Sequence, residues 1–146
     1  MSQLQVEAEG ATRATPDIVW ALLADANAYA DWGPWDDAGY RRGGDDSVHG
    51  VGAVRWFRYG RTTSVERVTE VEEGRRIAYT VIEGIPVRNY RAEIILTTIP
   101  EGTRVRWAAS WDNTLIGRIV QRKLRSVYPQ IMAGLVSTAN ERIAAS

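Results

Sequence analysis

The chain has no cysteine and a single histidine, His49, among its 146 residues. Without cysteine there is no disulfide framework and no thiolate chemistry. One histidine and no thiol cannot build the usual zinc sites, so neither a metal nor another cofactor is expected. A Ser-His-Asp arrangement would have to use His49, which lies in a glycine-rich stretch with no nucleophile elbow; an exposed loop histidine is the expectation. Asp36, Asp37, Asp45 and Asp46 lack the spacing of a calcium loop. Net charge is missing too: 18 Lys and Arg balance 18 Asp and Glu. A nucleic-acid partner is therefore not expected, because such proteins carry a basic excess. No apolar run approaches the roughly 18 residues of a membrane span, so stable insertion is not expected either. The first residues, MSQLQVEAEG, have neither the basic start nor the apolar stretch of a signal peptide, and the sequence predicts a cytoplasmic protein.

What is present is a globular composition, 45% hydrophobic, in a length suited to one domain spanning residues 1–146. Phe is nearly absent: Phe57 stands against six Trp and six Tyr. Trp and Tyr join a large apolar body to a polar tip. That mixture fits a cavity wall able to orient a guest, and equally an aromatic-rich core.

Residues 3–14 alternate, with Leu4, Val6 and Ala8 on one side, and predict a half-buried strand. Thr15-Pro16-Asp17 is a helix start, with Thr15 at the N-cap, and Ile18, Val19, Leu22 and Leu23 form one apolar face. Asp25 caps a second short helix carrying Tyr29 and ending near Trp32-Gly33-Pro34. Residues 36–52 read as loop with a short edge strand around Tyr40. From Ala53 the period is two, with strands near 53–59, 62–72, 76–83, 88–99 and 103–111 joined by short breaks, hence antiparallel hairpins. Residues 114–144 predict one long helix whose stripe is Ile116, Val120, Leu124, Val127, Ile131 and Leu135. Pro129 lies within it and predicts a kink near 125–129. A strongly twisted sheet facing one long helix leaves a gap, and a ligand would sit there.

In this order the sequence resembles the helix-grip fold of the START and birch-allergen superfamily, and within it the polyketide cyclase/dehydrase and lipid-transport branch. The matching stretches are Thr15-Pro16-Asp17-Ile18-Val19-Trp20, Asp31-Trp32-Gly33-Pro34-Trp35, Gly52-Ala53-Val54-Arg55, Glu66-Arg67-Val68-Thr69-Glu70, Tyr79 with Gly84-Ile85-Pro86, and Gly102-Thr103-Arg104-Val105-Arg106-Trp107. The resemblance implies an α+β fold, a curved antiparallel sheet wrapped around a long C-terminal helix, with a hydrophobic-ligand cavity between them. Cyclases of this family are thought to use a cavity arginine to polarise a carbonyl.

Arg55, within Ala-Val-Arg-Trp-Phe, is the candidate for that role if it shares the inward face of Ala53 and Phe57; otherwise it points outward to a salt bridge. Glu66 could pair with Arg55 across the hairpin, as a structural ion pair or as a general base. Phe57, Tyr79, Tyr90, Trp107 and Trp111 are the expected wall, with Leu124, Tyr128 and Ile131 facing them from the helix. Trp32 and Trp35 flank a Gly-Pro turn and read either as a lid or as a hydrophobic plug. The leading expectation is a binder of a small hydrophobic molecule, of lipid, aromatic or polyketide type. The alternatives are a cyclase or dehydratase using Arg55 and Glu66, and a protein-interaction module with a filled interior and an exposed apolar patch. The oligomeric state is left open.

Overall fold

The computed structural model describes residues 2–145; Met1 and Ser146, the ends of the expected domain, lie outside the described residues. Strand β1 (Gln3–Thr12) leads to helix α1 (Pro16–Ala24), a 3₁₀ turn (Ala26–Ala28) and the short helix α2 (Tyr29–Trp32). Six strands follow, β2 (Asp37–Arg42), β3 (Val54–Tyr59), β4 (Thr62–Glu72), β5 (Arg76–Glu83), β6 (Arg91–Ile99) and β7 (Gly102–Asp112), and then helix α3 (Leu115–Ala145). All seven strands form one curved antiparallel sheet in the order β1-β7-β6-β5-β4-β3-β2. Each strand from β2 onward pairs with its successor, as short connections dictate, and β1 closes on β7. This is the α+β helix-grip arrangement.

The local chemistry explains most boundaries. Pro16 opens α1, and the Thr15 carbonyl accepts from the amides of Ile18 and Val19 at 3.1 and 3.3 Å. The Thr15 hydroxyl does not cap the backbone; it donates to the Asp17 carboxylate instead. The Asp25 carboxylate accepts from the Asn27 amide at 2.9 Å and starts the 3₁₀ turn. The edge strand expected near Tyr40 is β2. The strand expected from residue 88 begins only at Arg91. Ahead of it the Val87 amide bonds back to the Ile85 carbonyl at 2.8 Å and Asn89 takes a φ of 57°, so this stretch turns away from the ladder. Strand β4 shifts register against β5 at Val65/Glu66 and again at Val68/Glu70. Such bulges bend a strand and deepen its twist, which curls this edge of the sheet toward α3.

Helix α3 runs unbroken through Pro129. Its second half is seated: Val127, Tyr128, Ile131, Met132, Leu135 and Ala139 are buried. Two glycines permit the seating. A Cβ at Gly134 would lie 2.1 Å from the Trp32 carbonyl oxygen, and one at Gly10 of β1 would lie 2.8 Å from the Met132 side chain. The far end is tied by the Thr12 hydroxyl, which donates to the Asn140 side-chain oxygen at 2.6 Å. The first half is not seated, which corrects one expectation. Ile116, placed on the buried stripe by its helical angle, is 50% exposed, beside Leu115 and Ile119 at 73% and 65%. Its angle is right, but at that end of the helix the contacts to β7 and β1 fall on Gly117 and Gln121 and leave Ile116 outside them.

The close approach at Gly134 gives a test. Alanine in an open helix position gains about 1 kcal/mol over glycine. Here the added methyl meets backbone, and Gly134→Ala should instead destabilise by roughly 1–3 kcal/mol in urea unfolding. A stabilised variant would show that α3 is not held at this point.

Candidate functional site

Between the bent part of the sheet and residues 120–131 of α3 is a cavity of about 240 Å³. Aromatic side chains are the largest group in its wall: Tyr29 of α2, Trp35 after it, Phe57 and Tyr59 of β3, Tyr79 of β5, Tyr90 before β6 and Trp107 of β7. Helix α3 contributes Val120, Lys123, Leu124, Val127, Tyr128 and Ile131. Thr62, Ser64 and Glu66 enter from β4 at every second position, as one face of a strand must. The Gly84-Ile85-Pro86 turn completes the rim.

The phenols are held in place by one another. The Tyr90 and Tyr128 hydroxyls lie 2.8 Å apart, and the Trp107 indole donates to the Tyr79 hydroxyl at 2.9 Å. Burial raises Tyr79 and Tyr90 well above the ordinary phenol range and raises Tyr128 as well. The Tyr29 hydroxyl donates to the Leu23 carbonyl at 2.8 Å, and burial pushes its pKa up to about 12. All four stay protonated at neutral pH and present O–H groups rather than charges.

Arg55 and Glu66 are register partners on β3 and β4. They pair directly, Arg55 Nη2 to Glu66 Oε1 at 3.1 Å, with side chains only 2% and 12% exposed. Arg55 Nη1 also donates to the Tyr29 hydroxyl at 3.3 Å, while its buried Nε has no partner among the described residues. The rings of Tyr29, Phe57 and Tyr79 lie 5.3, 5.3 and 5.5 Å from the guanidinium carbon, within cation–π range. Burial works to discharge Arg55, but the Tyr29, Glu66 and Tyr79 oxygens outweigh it and hold the charge more firmly. Glu66 is the softer partner: burial pushes its carboxyl up to about 7, against the pull of Arg55.

The expected site residues divide accordingly. Trp35, Phe57, Glu66, Tyr79, Tyr90, Trp107, Leu124, Tyr128 and Ile131 all line the cavity. Arg55 faces inward as one reading had it, yet its guanidinium is covered by the three rings and is not part of the cavity wall. Trp32 and Trp111 do not line it either. The Trp32 indole donates to the Leu22 carbonyl at 3.0 Å and plugs the space under α1. The Trp111 indole donates to the Gly117 carbonyl at 3.0 Å, and its ring stacks behind Tyr90 at 5.5 Å. Tyr29, Tyr59, Val120, Lys123 and Val127 were not singled out. Val120 and Val127 lie on the apolar stripe, and Tyr59 shares the strand face of Phe57, so a signal existed for those three. His49 is exposed in the loop, 2.6 Å from the Tyr40 hydroxyl, and takes no part in the cavity.

A wider depression of about 790 Å³ lies on the other face of the sheet. Most of its charges are paired within it, Arg76 to Glu70 and Glu93 and Arg106 to Glu7. It is therefore the smaller, ring-lined cavity that has the character of a hydrophobic site.

Compared with known proteins, the chain matches the family described as polyketide cyclase / dehydrase and lipid transport over residues 3–145. The protein belongs to that family. Its fold is similar to that of a protein from Nitrosospira multiformis, at 21% identity, covering 92% of this chain and 94% of that one, with a TM-score of 0.77. A Thermobifida fusca protein matches at 26% identity, with 97% and 95% covered and a TM-score of 0.75. XoxI from Bacillus cereus matches at 19% identity, with 94% and 95% covered and a TM-score of 0.73. No curated protein matches the chain.

The raised carboxyl of Glu66 links stability to pH. The folded state holds this proton up to about 7, whereas the unfolded chain releases it near 4.5. The contribution is therefore fully present below the lower value and is lost as pH climbs through the upper one. Relative to Glu66→Gln, the wild type should lose on the order of 3 kcal/mol across that interval, measured as urea-unfolding free energy against pH. Parallel curves for the two proteins would show that Glu66 is not desolvated.

Proposed function

We propose that this protein binds one small hydrophobic molecule, lipid-, aromatic- or polyketide-like, in the cavity between sheet and α3. The observation that carries the reading is the ring-lined space of about 240 Å³, which no side chain of the described residues fills. Its size lies just under the roughly 300 Å³ at which ordinary small-molecule pockets begin, suiting a guest of one or two rings. The family, whose description includes lipid transport, supports the same reading. The balanced charge argues against nucleic acid as a partner, and no helix among the described residues is long and apolar enough to cross a membrane. The cysteine-free composition supports work in the cytoplasm. An interaction module with a filled interior fits less well, although Leu115, Ile116 and Ile119 do stand exposed.

A second reading has one observation of its own. Glu66 lines the cavity with its pKa pushed up to about 7, the value at which a general base is most effective at neutral pH. In a cyclase or dehydratase it would take a proton from the carbon next to a ligand carbonyl.

Native mass spectrometry of freshly purified protein, followed by calorimetric titration with naphthalene, tests the binding reading. One guest per chain is expected, with saturation. Leu124→Trp, which fills the cavity from α3, should weaken binding at least tenfold while unfolding at a similar temperature. No retained mass and no saturable heat would end the reading.

The enzymatic alternative predicts that a cyclic β-diketone exchanges its acidic C–H for deuterium faster in the presence of protein. Glu66→Gln should abolish that acceleration without abolishing binding. Exchange at the solvent rate in the wild type would leave binding alone.

A further inference from the structure

The polar groups of the cavity are few, and they are one-sided. Glu66 engages a single oxygen: Oε1 accepts from Arg55 Nη2 at 3.1 Å, and no described residue donates to Oε2. The side chain keeps its 12% exposure where it lines the cavity. Oε2 has no bonded donor among the described residues: Arg55 lies behind the rings of Tyr29, Phe57 and Tyr79, and Thr62 and Ser64 line the cavity without a bond to it. The phenols are engaged elsewhere, Tyr90 and Tyr128 with each other and Tyr79 as acceptor of the Trp107 indole, and none of them donates to Oε2. Lys123 is the one cation that lines the cavity, and it is an exposed residue lying over the Tyr59 ring, 5.4 Å from its centre, on the helix surface.

We propose that the cavity selects an uncharged one- or two-ring guest that donates a hydroxyl, of the phenol or enol class, to the free oxygen of Glu66, and that it rejects carboxylates. This rests on the cavity being a ligand site. The charge argument is direct. Arg55 and Glu66 together are neutral, so any unit charge on the guest would leave a net charge in a desolvated space, at a cost of several kcal/mol. A carboxylate would also face the Glu66 carboxylate. A neutral O–H meets neither penalty and satisfies an acceptor that otherwise stays empty. Hydrogen bonds to a charged group are the stronger kind, so the donor should decide between guests of equal shape.

Three probes of one ring system make the test: 2-naphthol, 2-methoxynaphthalene, which keeps the oxygen but loses the donor, and 2-naphthoate. Calorimetry on the wild type near pH 8, with Glu66 charged, should give 2-naphthol an affinity about tenfold or more above 2-methoxynaphthalene. 2-Naphthoate should be the weakest of the three. Lowering the pH to about 6 protonates Glu66, and the preference for naphthol over its methyl ether should shrink. Arg55 from β3, Tyr29 from α2, Tyr79 from β5, Tyr90 from the turn before β6, and Tyr128 and Lys123 from α3 surround the group. The guanidinium and the four phenols are all raised away from this window. In Glu66→Gln the preference should be small and flat with pH; if that variant does not fold, the wild-type probe series and its pH dependence decide alone. Equal affinity for naphthol and its methyl ether, or tightest binding of naphthoate, overturns the inference while the cavity stands. Failure of all three probes overturns the ligand-site reading and the inference with it.

Discussion

At Gly134 the backbone of α3 approaches the Trp32 carbonyl so closely that a methyl group would stand 2.1 Å from it, and at Gly10 strand β1 makes the matching approach to Met132. These contacts seat one half of a 31-residue helix, a rod of about 46 Å at 1.5 Å per residue. It runs along β1, from Gln121 against Gln5 to Asn140 against Thr12, and packs on α2, but not closely on β4 or β5. The burial pattern records this, since everything buried on α3 comes at or after Val127, apart from Gly117, while the first turn leaves Leu115, Ile116 and Ile119 in solvent. The cavity is what remains between residues 120–131 of α3 and the bent part of the sheet. The strands project large rings into it at Phe57, Tyr59, Tyr79 and Trp107, and smaller polar side chains at Thr62 and Ser64 of β4.

Within that wall the Arg55–Glu66 pair is not explained by stability. Removing two charges from water costs several kcal/mol each, and well-packed apolar residues in place of a buried pair are commonly as stable or more so. Glu66 itself shows the balance, because burial lifts its carboxyl to about 7 even with a guanidinium at 3.1 Å. For Glu66 the desolvation cost therefore exceeds what the pairing returns, whereas for Arg55 the neighbouring oxygens outweigh it. Arg55 does contribute architecture: through Tyr29 it joins the strand layer to α2, and three rings close over it. Glu66 is the partner left facing the cavity, and the bulge at Val65/Glu66 adjoins it. Bulges next to a site commonly aim one side chain, and this one is beside the only carboxylate in the wall.

Much of this was legible in the residues, and the losses have physical reasons. Period-two alternation identified the inward faces, so Phe57, Tyr79 and Trp107 were found. The two-residue break Gly60-Arg61 sets Tyr59 opposite Thr62, and counting back along both strands puts Arg55 opposite Glu66. Alternation gives a side chain's face but not its depth along the sheet. Trp111 shares the face of Trp107 yet stands one step nearer the start of α3, where its indole is taken by the Gly117 carbonyl. Trp32 and Tyr29 share a four-residue helix, too short for any period to tell that one plugs the α1 side while the other meets the cavity. Arg55 was placed on the correct face, but which rings cover it depends on α2 crossing β3, a contact between segments 26 residues apart. Ile116 failed for the converse reason: helical angle says which way a side chain points, and nothing about whether a strand lies there.

The same geometry weighs carrying against transforming. A catalyst must hold its transition state more tightly than its substrate. For chemistry at a carbonyl this means donors aimed at the oxygen where charge builds up. The strongest donor available, the Arg55 guanidinium, is spent on Glu66 and Tyr29 and screened by aromatic rings. Charge developing on a ligand oxygen would have to be met by neutral phenols, which are weaker donors to an anion than a guanidinium. A neutral guest resting its hydroxyl on Glu66 asks nothing of the kind, because every group it touches is already in place. The wall as built holds a ground state well and a charged intermediate poorly, and that asymmetry is the physical case for a binding protein.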